Sequence, residues 1–182
     1  MSRKHKLPTL DQVARMVTGG ATTIAQSMKK PDDDWGPTLF MFSQNKPPAI
    51  VSLAVAVEDK NAVPRVVVSL FRDYNPQVAA LVVSCWCVEA KQDDPLADLT
   101  VDLCGVYGVR NHPHAREILQ VQVEDAHGQQ QRFEASITRR PGLPPLLGNW
   151  RREDFEAEGN ARFNHLLRHA FAASDKKRNR QR

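Results

Sequence analysis

The chain has 182 residues, 41% of them hydrophobic and 25% charged, with a formal net charge of +4 and three cysteines. These proportions are those of an ordinary globular domain, and they exclude wholesale disorder and a fibrous repeat. The length suits one domain whose core needs neither a metal nor a disulfide. No window holds about 18 uncharged apolar residues, so no membrane span is expected. The basic start, MSRKHKLPTLDQ, has no apolar run behind it and does not read as a secretory leader.

The charge is unevenly placed. Arg3, Lys4 and Lys6 contribute +3, and the segment 175–182 contributes a net +4 through Lys176, Lys177, Arg178, Arg180 and Arg182 against Asp175. Set against the chain total of +4, that leaves residues 7–174 at −3. The expected organisation is therefore a basic arm over 1–8, a single domain over 9–173 and a basic, disordered tail over 174–182. Such ends can attract nucleic acid or an acidic partner by counterion release, or simply solubilise the chain.

Thr9-Leu10-Asp11-Gln12 has the form of a capping box. Leu10, Val13, Val17, Ala21, Ile24 and Met28 follow at three- and four-residue steps and predict a helix. Gly19-Gly20 weakens it and is expected to kink it or end it early. Pro31 stops it, and Asp32-Asp33-Asp34-Trp35-Gly36-Pro37 reads as a solvated acidic turn, lacking the alternate ligand spacing of a calcium loop. Thr38–Ser43 and Ala49–Val57 read as an antiparallel hairpin across Gln44–Pro48. The second of these strands, apolar on both faces, is expected to be central or covered on both sides. Asn61 is a candidate cap for a second helix, with Pro64 in its first turn and Val63, Val66, Val67, Leu70, Phe71 and Tyr74 on one face.

Val78–Glu89 is the most apolar segment and reads as a central strand, with Val82 and Trp86 on one face and Val83 and Cys85 on the other. Cys85 and Cys87 are read as facing opposite sides of it, and so as unpaired. With Cys104 they are expected to be reduced thiols of a cytoplasmic protein. Lys91–Asp102 is acidic and reads as a mobile loop. Ile118–Asp125 alternates, with Leu119, Val121 and Val123 inward and Gln120, Gln122 and Glu124 outward. The chain turns at Ala126–Gln129 and returns over Gln131–Arg139 with Phe133, Ala135 and Ile137 inward. Pro141–Pro145 reads as rigid and irregular, with Leu146, Leu147 and Trp150 pinning it down. Phe155 to Phe171 suggests a last helix interrupted near Gly159-Asn160. The order predicts an α+β fold: a mostly antiparallel sheet of about five strands with N-terminal, central and C-terminal helices packed against it.

Chemical signals are sparse. His112 and His114 could ligate zinc with thiolates from Cys85, Cys87 or Cys104, but neither CxxC nor HExxH occurs, and the favoured reading is a turn before a strand. A Cys/His nucleophilic pair from the same residues would need an exposed, electropositive thiol, and Cys85 and Cys87 lie in an apolar strand. Phosphate loops and a nucleophile elbow are missing, and no cofactor is expected. Arg139-Arg140 and Arg151-Arg152 around Trp150 could hold phosphate and stack a base, though Glu153 and Asp154 offset the charge.

Three blocks stand out together: ALVVSCWCVE over 80–89, HPHAREILQVQVED over 112–125, and FEASITR to PPLLGNW over 133–150. In these blocks the chain resembles a scattered group of small bacterial and phage proteins that carry no assigned activity, although Ser84-Cys85-Trp86 stands where that group has Glu-Ala-Trp. The resemblance implies a bacterial or phage source and a compact α+β domain. The function expected is a non-enzymatic interaction or accessory domain with an unknown protein or acidic partner. The alternatives are a nucleic-acid-binding protein using its basic ends, and a metal- or thiol-dependent hydrolase using His112, His114 and a cysteine.

Overall fold

The computed structural model describes residues 6–54, 62–88, 108–153 and 165–179. Helix α1 spans Leu10–Ser27. Its capping box forms as the sequence predicts. The Thr9 hydroxyl accepts from the Gln12 backbone N–H at 3.2 Å, and the Gln12 side chain accepts from the Thr9 N–H at 2.9 Å. Gly19 and Gly20 do not end it. The helix passes through both, because Val13, Ala14, Val17 and Ala21 are buried along its inner stripe and packing outweighs the local preference.

Strands β1 (Thr38–Phe42) and β2 (Ala49–Ser52) form the expected hairpin, with Leu39 opposite Val51. β2 is an edge strand, not a central one, and Ile50 is 68% exposed. A doubly apolar strand can lie at an edge where only one neighbour covers it. Helix α2 (Ala62–Tyr74) buries Val63, Val67 and Phe71. It ends at Asn75, whose φ of 59° is the left-handed stop that asparagine tolerates best after glycine. The proposed cap Asn61 and the end of the second predicted strand lie outside the described residues.

Strand β3 (Val78–Cys87) runs between β1 and strand β4 (Arg116–Asp125), which pairs with β5 (Gln130–Arg140). The β4–β5 turn forms as expected. Gly128 takes φ 82°, and the Asp125 carboxylate accepts from the N–H groups of His127 and Gln129, both at 2.9 Å. The segment read as irregular is instead strand β6 (Leu143–Leu147), antiparallel to β5 across a register shift between Thr138 and Arg140. Its prolines are compatible with a strand because β6 is an edge, where a missing N–H costs no ladder bond. A short strand β7 (Arg151–Glu153) pairs with Arg132–Glu134 of β5.

Among the described residues all pairings are antiparallel and the order is β2-β1-β3-β4-β5-β6, with β7 also on β5, which makes seven strands where about five were expected. The last helix, α3, spans Leu166–Asn179. It carries the backbone helically through most of the segment expected to be a disordered tail from 174. The acidic 91–102 loop and the break near Gly159-Asn160 lie outside the described residues.

The sheet has a core on each face. On one, α1 packs Val13, Val17 and Ala21 against Ala80, Val82, Leu119, Val121 and Val123. Trp35, in the turn expected to be solvated, is buried there and its indole N–H donates to the Ala21 carbonyl at 3.0 Å. On the other face, α2 and α3 pack Val63, Val67, Phe71, Leu167 and Ala170 against Leu39, Met41, Ala79 and Leu81. Phe71 and Phe171 meet edge to face at 4.7 Å.

Candidate functional site

The strongest polar constellation is on the face of β4 and β5 opposite α1. Register puts Gln120 across from Glu134 and Gln122 across from Arg132. On β4, Gln120, Gln122 and Glu124 were expected outward, since strict alternation ordinarily marks a half-exposed sheet. Instead Gln120, Gln122, Glu124 and Glu134 are all buried. The inward and outward assignment of β4 held, but its outward face is covered too.

Burying amides and a carboxylate is costly unless each finds a partner. Here they form a directed chain. The Gln122 amide donates to the Gln120 carbonyl at 2.6 Å, and the Gln120 amide donates to Glu134 at 3.2 Å. Arg132 closes the array, donating to the same Glu134 oxygen from Nε at 2.9 Å and also from Nη2. The Arg116 guanidinium stands 3.8 Å from the second Glu134 oxygen. The carboxylate is therefore the common acceptor of an amide and guanidinium lattice. Cys85 faces the same side of β3. Burial pushes its thiol up to about 12, with Cys87 and Glu134 adding to the rise. A thiol held that high carries almost no thiolate at neutral pH and is a poor nucleophile.

A second cluster lies on the α1 face. The Glu117 carboxylate is buried and receives a two-pronged contact from Arg139, Nε at 2.7 Å and Nη2 at 2.8 Å. Arg139 also reaches Asp34 at 3.1 Å and the Asp33 carbonyl at 3.2 Å. Its guanidinium is held even more firmly protonated, chiefly by the Glu117 hydrogen bonds. Asp33 accepts from the backbone N–H groups of Lys30 and Lys29, which lower its pKa. The acidic turn is thus tied down by backbone donors and one arginine. A fork can hold a carboxylate and neighbouring oxygens together where an ammonium holds a single point. Arg139→Lys is expected to lower stability by about 1–2 kcal/mol while conserving charge; a thermal denaturation midpoint equal to wild type would contradict this role.

The residues proposed as metal or catalytic groups are brought together only in part. His112 and His114 lie with ring centroids 5.7 Å apart, next to the 3-10 turn Val109–Asn111. The His112 Nδ1 accepts from the His114 backbone N–H at 3.2 Å, so one ligating nitrogen is engaged locally. Among the described residues, no three His, Cys, Asp or Glu side chains are placed to hold a metal ion. Cys104 lies outside the described residues. Cys85 and Cys87 share one face of β3, opposite Ile118 and Arg116 respectively. The expectation of opposite faces was wrong, because side chains two apart in a strand point the same way. Neither is in a disulfide.

Of the basic residues proposed for nucleic acid, Lys6 is exposed, whereas Arg3, Lys4, Arg180 and Arg182 lie outside the described residues. Lys176, Lys177 and Arg178 lie on α3. Trp150 does not offer its ring for stacking on a base: it packs beside α1, and its indole N–H donates to Thr22 at 3.1 Å. Among the described residues the exposed aromatic is Trp86, with the Arg110 guanidinium 5.3 Å from its ring centre.

The buried array escaped the sequence because Gln-x-Gln-x-Glu has the same period as a wetted face. The available signal was the choice of amides, which can be satisfied in both directions, on a strand beside the doubly apolar β3. No described helix is long and apolar enough to cross a membrane. Comparison with protein families, with curated proteins and with solved structures gives no match to this chain.

Proposed function

We propose that the chain is a non-enzymatic interaction domain, of bacterial cytoplasmic or phage origin, that works by presenting a rigid surface to a partner. The observation that carries this reading is the commitment of its chemically capable groups to one another. Gln122, Gln120, Arg132 and Glu134 satisfy each other inside the sheet, and Glu117 is held by Arg139. A general base or nucleophile needs an accessible lone pair aimed at a substrate. These carboxylates spend theirs on fixed donors, and the raised Cys85 thiol offers none. Large apolar side chains meanwhile stand at the surface of α1 and at β2, which is what recognition of a partner uses.

The test is turnover. Purified full-length protein assayed against esterase, nuclease and phosphatase substrates is expected to show no rate above buffer. Robust turnover that disappears in His112→Ala would overturn the reading in favour of a hydrolase built on the histidine turn.

A further inference from the structure

We propose that the groove between α1 and the short strand β7 binds a free amino acid with an aromatic or large apolar side chain. This goes beyond the interaction-domain reading, since such a site needs neither turnover nor a macromolecular partner.

A cavity of about 300 Å³ lies there, lined by Asp11, Ala14, Arg15 and Thr18 of α1, Phe133 of β5 and Arg152 of β7. That volume is at the small end for ligand sites and suits a small metabolite. Positions 11, 14, 15 and 18 form one stripe of the helix, about 10 Å long. Phe133 and Arg152 are cross-strand partners, so their side chains leave the sheet on the same side. Arg151 and Glu153 alternate to the other side, where they lie 3.9 Å apart.

An aspartate and an arginine four residues apart on a helix ordinarily pair with each other. Here they do not. The Arg15 Nε donates to the Asp11 backbone carbonyl at 3.3 Å, while one Asp11 carboxylate oxygen accepts from the Gln131 amide at 2.7 Å. Among the described residues, the terminal nitrogens of Arg15, the Arg152 guanidinium and the second Asp11 oxygen have no hydrogen-bond or ion-pair partner. Two guanidiniums and one carboxylate thus line one small cavity without engaging each other. Phe133, packed against the α1 core, gives that cavity an aromatic wall.

The set matches an α-amino acid group by group. Its carboxylate accepts from Arg15 and Arg152, whose planar forks suit that geometry. Its ammonium donates to Asp11, which would repel a simple anion. Its side chain lies along Ala14 and the Phe133 ring, where a second ring gains offset or edge-to-face contact. Asp11, Arg15 and Arg152 are exposed and the cavity opens to solvent, so a dissociation constant on the order of 1 mM is expected.

A heteronuclear NMR titration of the full chain with L-phenylalanine up to about 20 mM tests this. Saturable amide shifts confined to residues 11–18, 131–134 and 151–153 are expected. 3-Phenylpropanoate lacks the ammonium and phenethylamine lacks the carboxylate, and each is expected to bind at least about tenfold more weakly. Arg152→Gln is expected to melt as wild type does and to weaken L-phenylalanine by a similar factor, and Arg15→Gln gives the same readout from the helix if Arg152→Gln folds poorly. Asp11→Asn keeps an acceptor for Gln131. It is expected to weaken L-phenylalanine yet strengthen 3-phenylpropanoate, a reversal that loss of fold would not produce. Shifts that do not saturate, shifts centred elsewhere, or wild-type binding of 3-phenylpropanoate as tight as that of L-phenylalanine overturns the proposal. Turnover reports on the interaction-domain reading and the titration on this site, so the failure of one is told apart from the failure of the other.

Discussion

Glu134→Ala is expected to destabilise the protein by about 3–5 kcal/mol, the range for breaking a buried ion pair from one side. The carboxylate is 3% exposed and is the shared acceptor of Gln120 and Arg132, with Arg116 close by. Removing it leaves the half-buried Arg132 guanidinium and the buried Gln120 amide without their acceptor. The penalty is that of the stranded donors, not merely of one lost contact. Replacing Glu134 and Arg132 together by leucine removes acceptor and charge at once and is expected to recover much of the loss. Urea midpoints of the single and double variants, at unchanged transition slope, decide the matter. A Glu134→Ala loss below about 1 kcal/mol would mean that the array contributes little to holding the sheet.

The second large effect is in pH. Burial pushes the Glu124 carboxyl from 4.5 up to about 7, against the opposing pull of Arg168, while neighbouring Asp125 adds to the rise. Arg168 stands 3.6 Å away, but half of its side chain is in solvent, so it only partly compensates the desolvation. The folded state therefore holds a proton that the unfolded chain releases between pH 4.5 and 7. Stability from this group is present in full below pH 4.5 and is lost as pH rises through about 7. A shift of that size corresponds to about 3 kcal/mol at alkaline pH. Glu124→Gln is the neutral shape match. It is expected to flatten the pH dependence across this window and to be more stable than wild type at pH 8. Denaturant titrations from pH 4 to 8 test the sign directly: a wild-type stability that rises with pH where the variant is flat would reverse the assignment.

Glu124 and Glu134 also mark the limit of what a linear reading can reach. The elements themselves were legible. The capping box at Thr9, the helical spacing of Val63, Val67 and Phe71, and the period-two runs about Gly128 each rest on contacts within a few residues, and local geometry decides them. The edge status of β2, the strand at Leu143–Leu147 and the burial of Trp35 were not legible, because each depends on which element lies alongside. Prolines that argue against a strand in isolation are acceptable once a neighbour pairs from one side only. The candidate polar array was hidden for the same reason: Gln120 and Gln122 alternate as any wetted strand does, and nothing local says that their face is covered.

By itself the sequence determined an α+β domain, the identity of helices α1 and α2 with most of their inner stripes (Ile24, expected inward on α1, is half exposed), and the inward set of the central hairpin. It also determined where positive charge accumulates. Only the tertiary structure decided that both faces of β4 are buried, that Arg139 ties the acidic turn to Glu117, and that Cys85 and Glu124 titrate far from their ordinary values. The physical reason is that periodicity reports which side of a strand differs from the other, whereas burial and electrostatic environment depend on what packs against each side from distant parts of the chain.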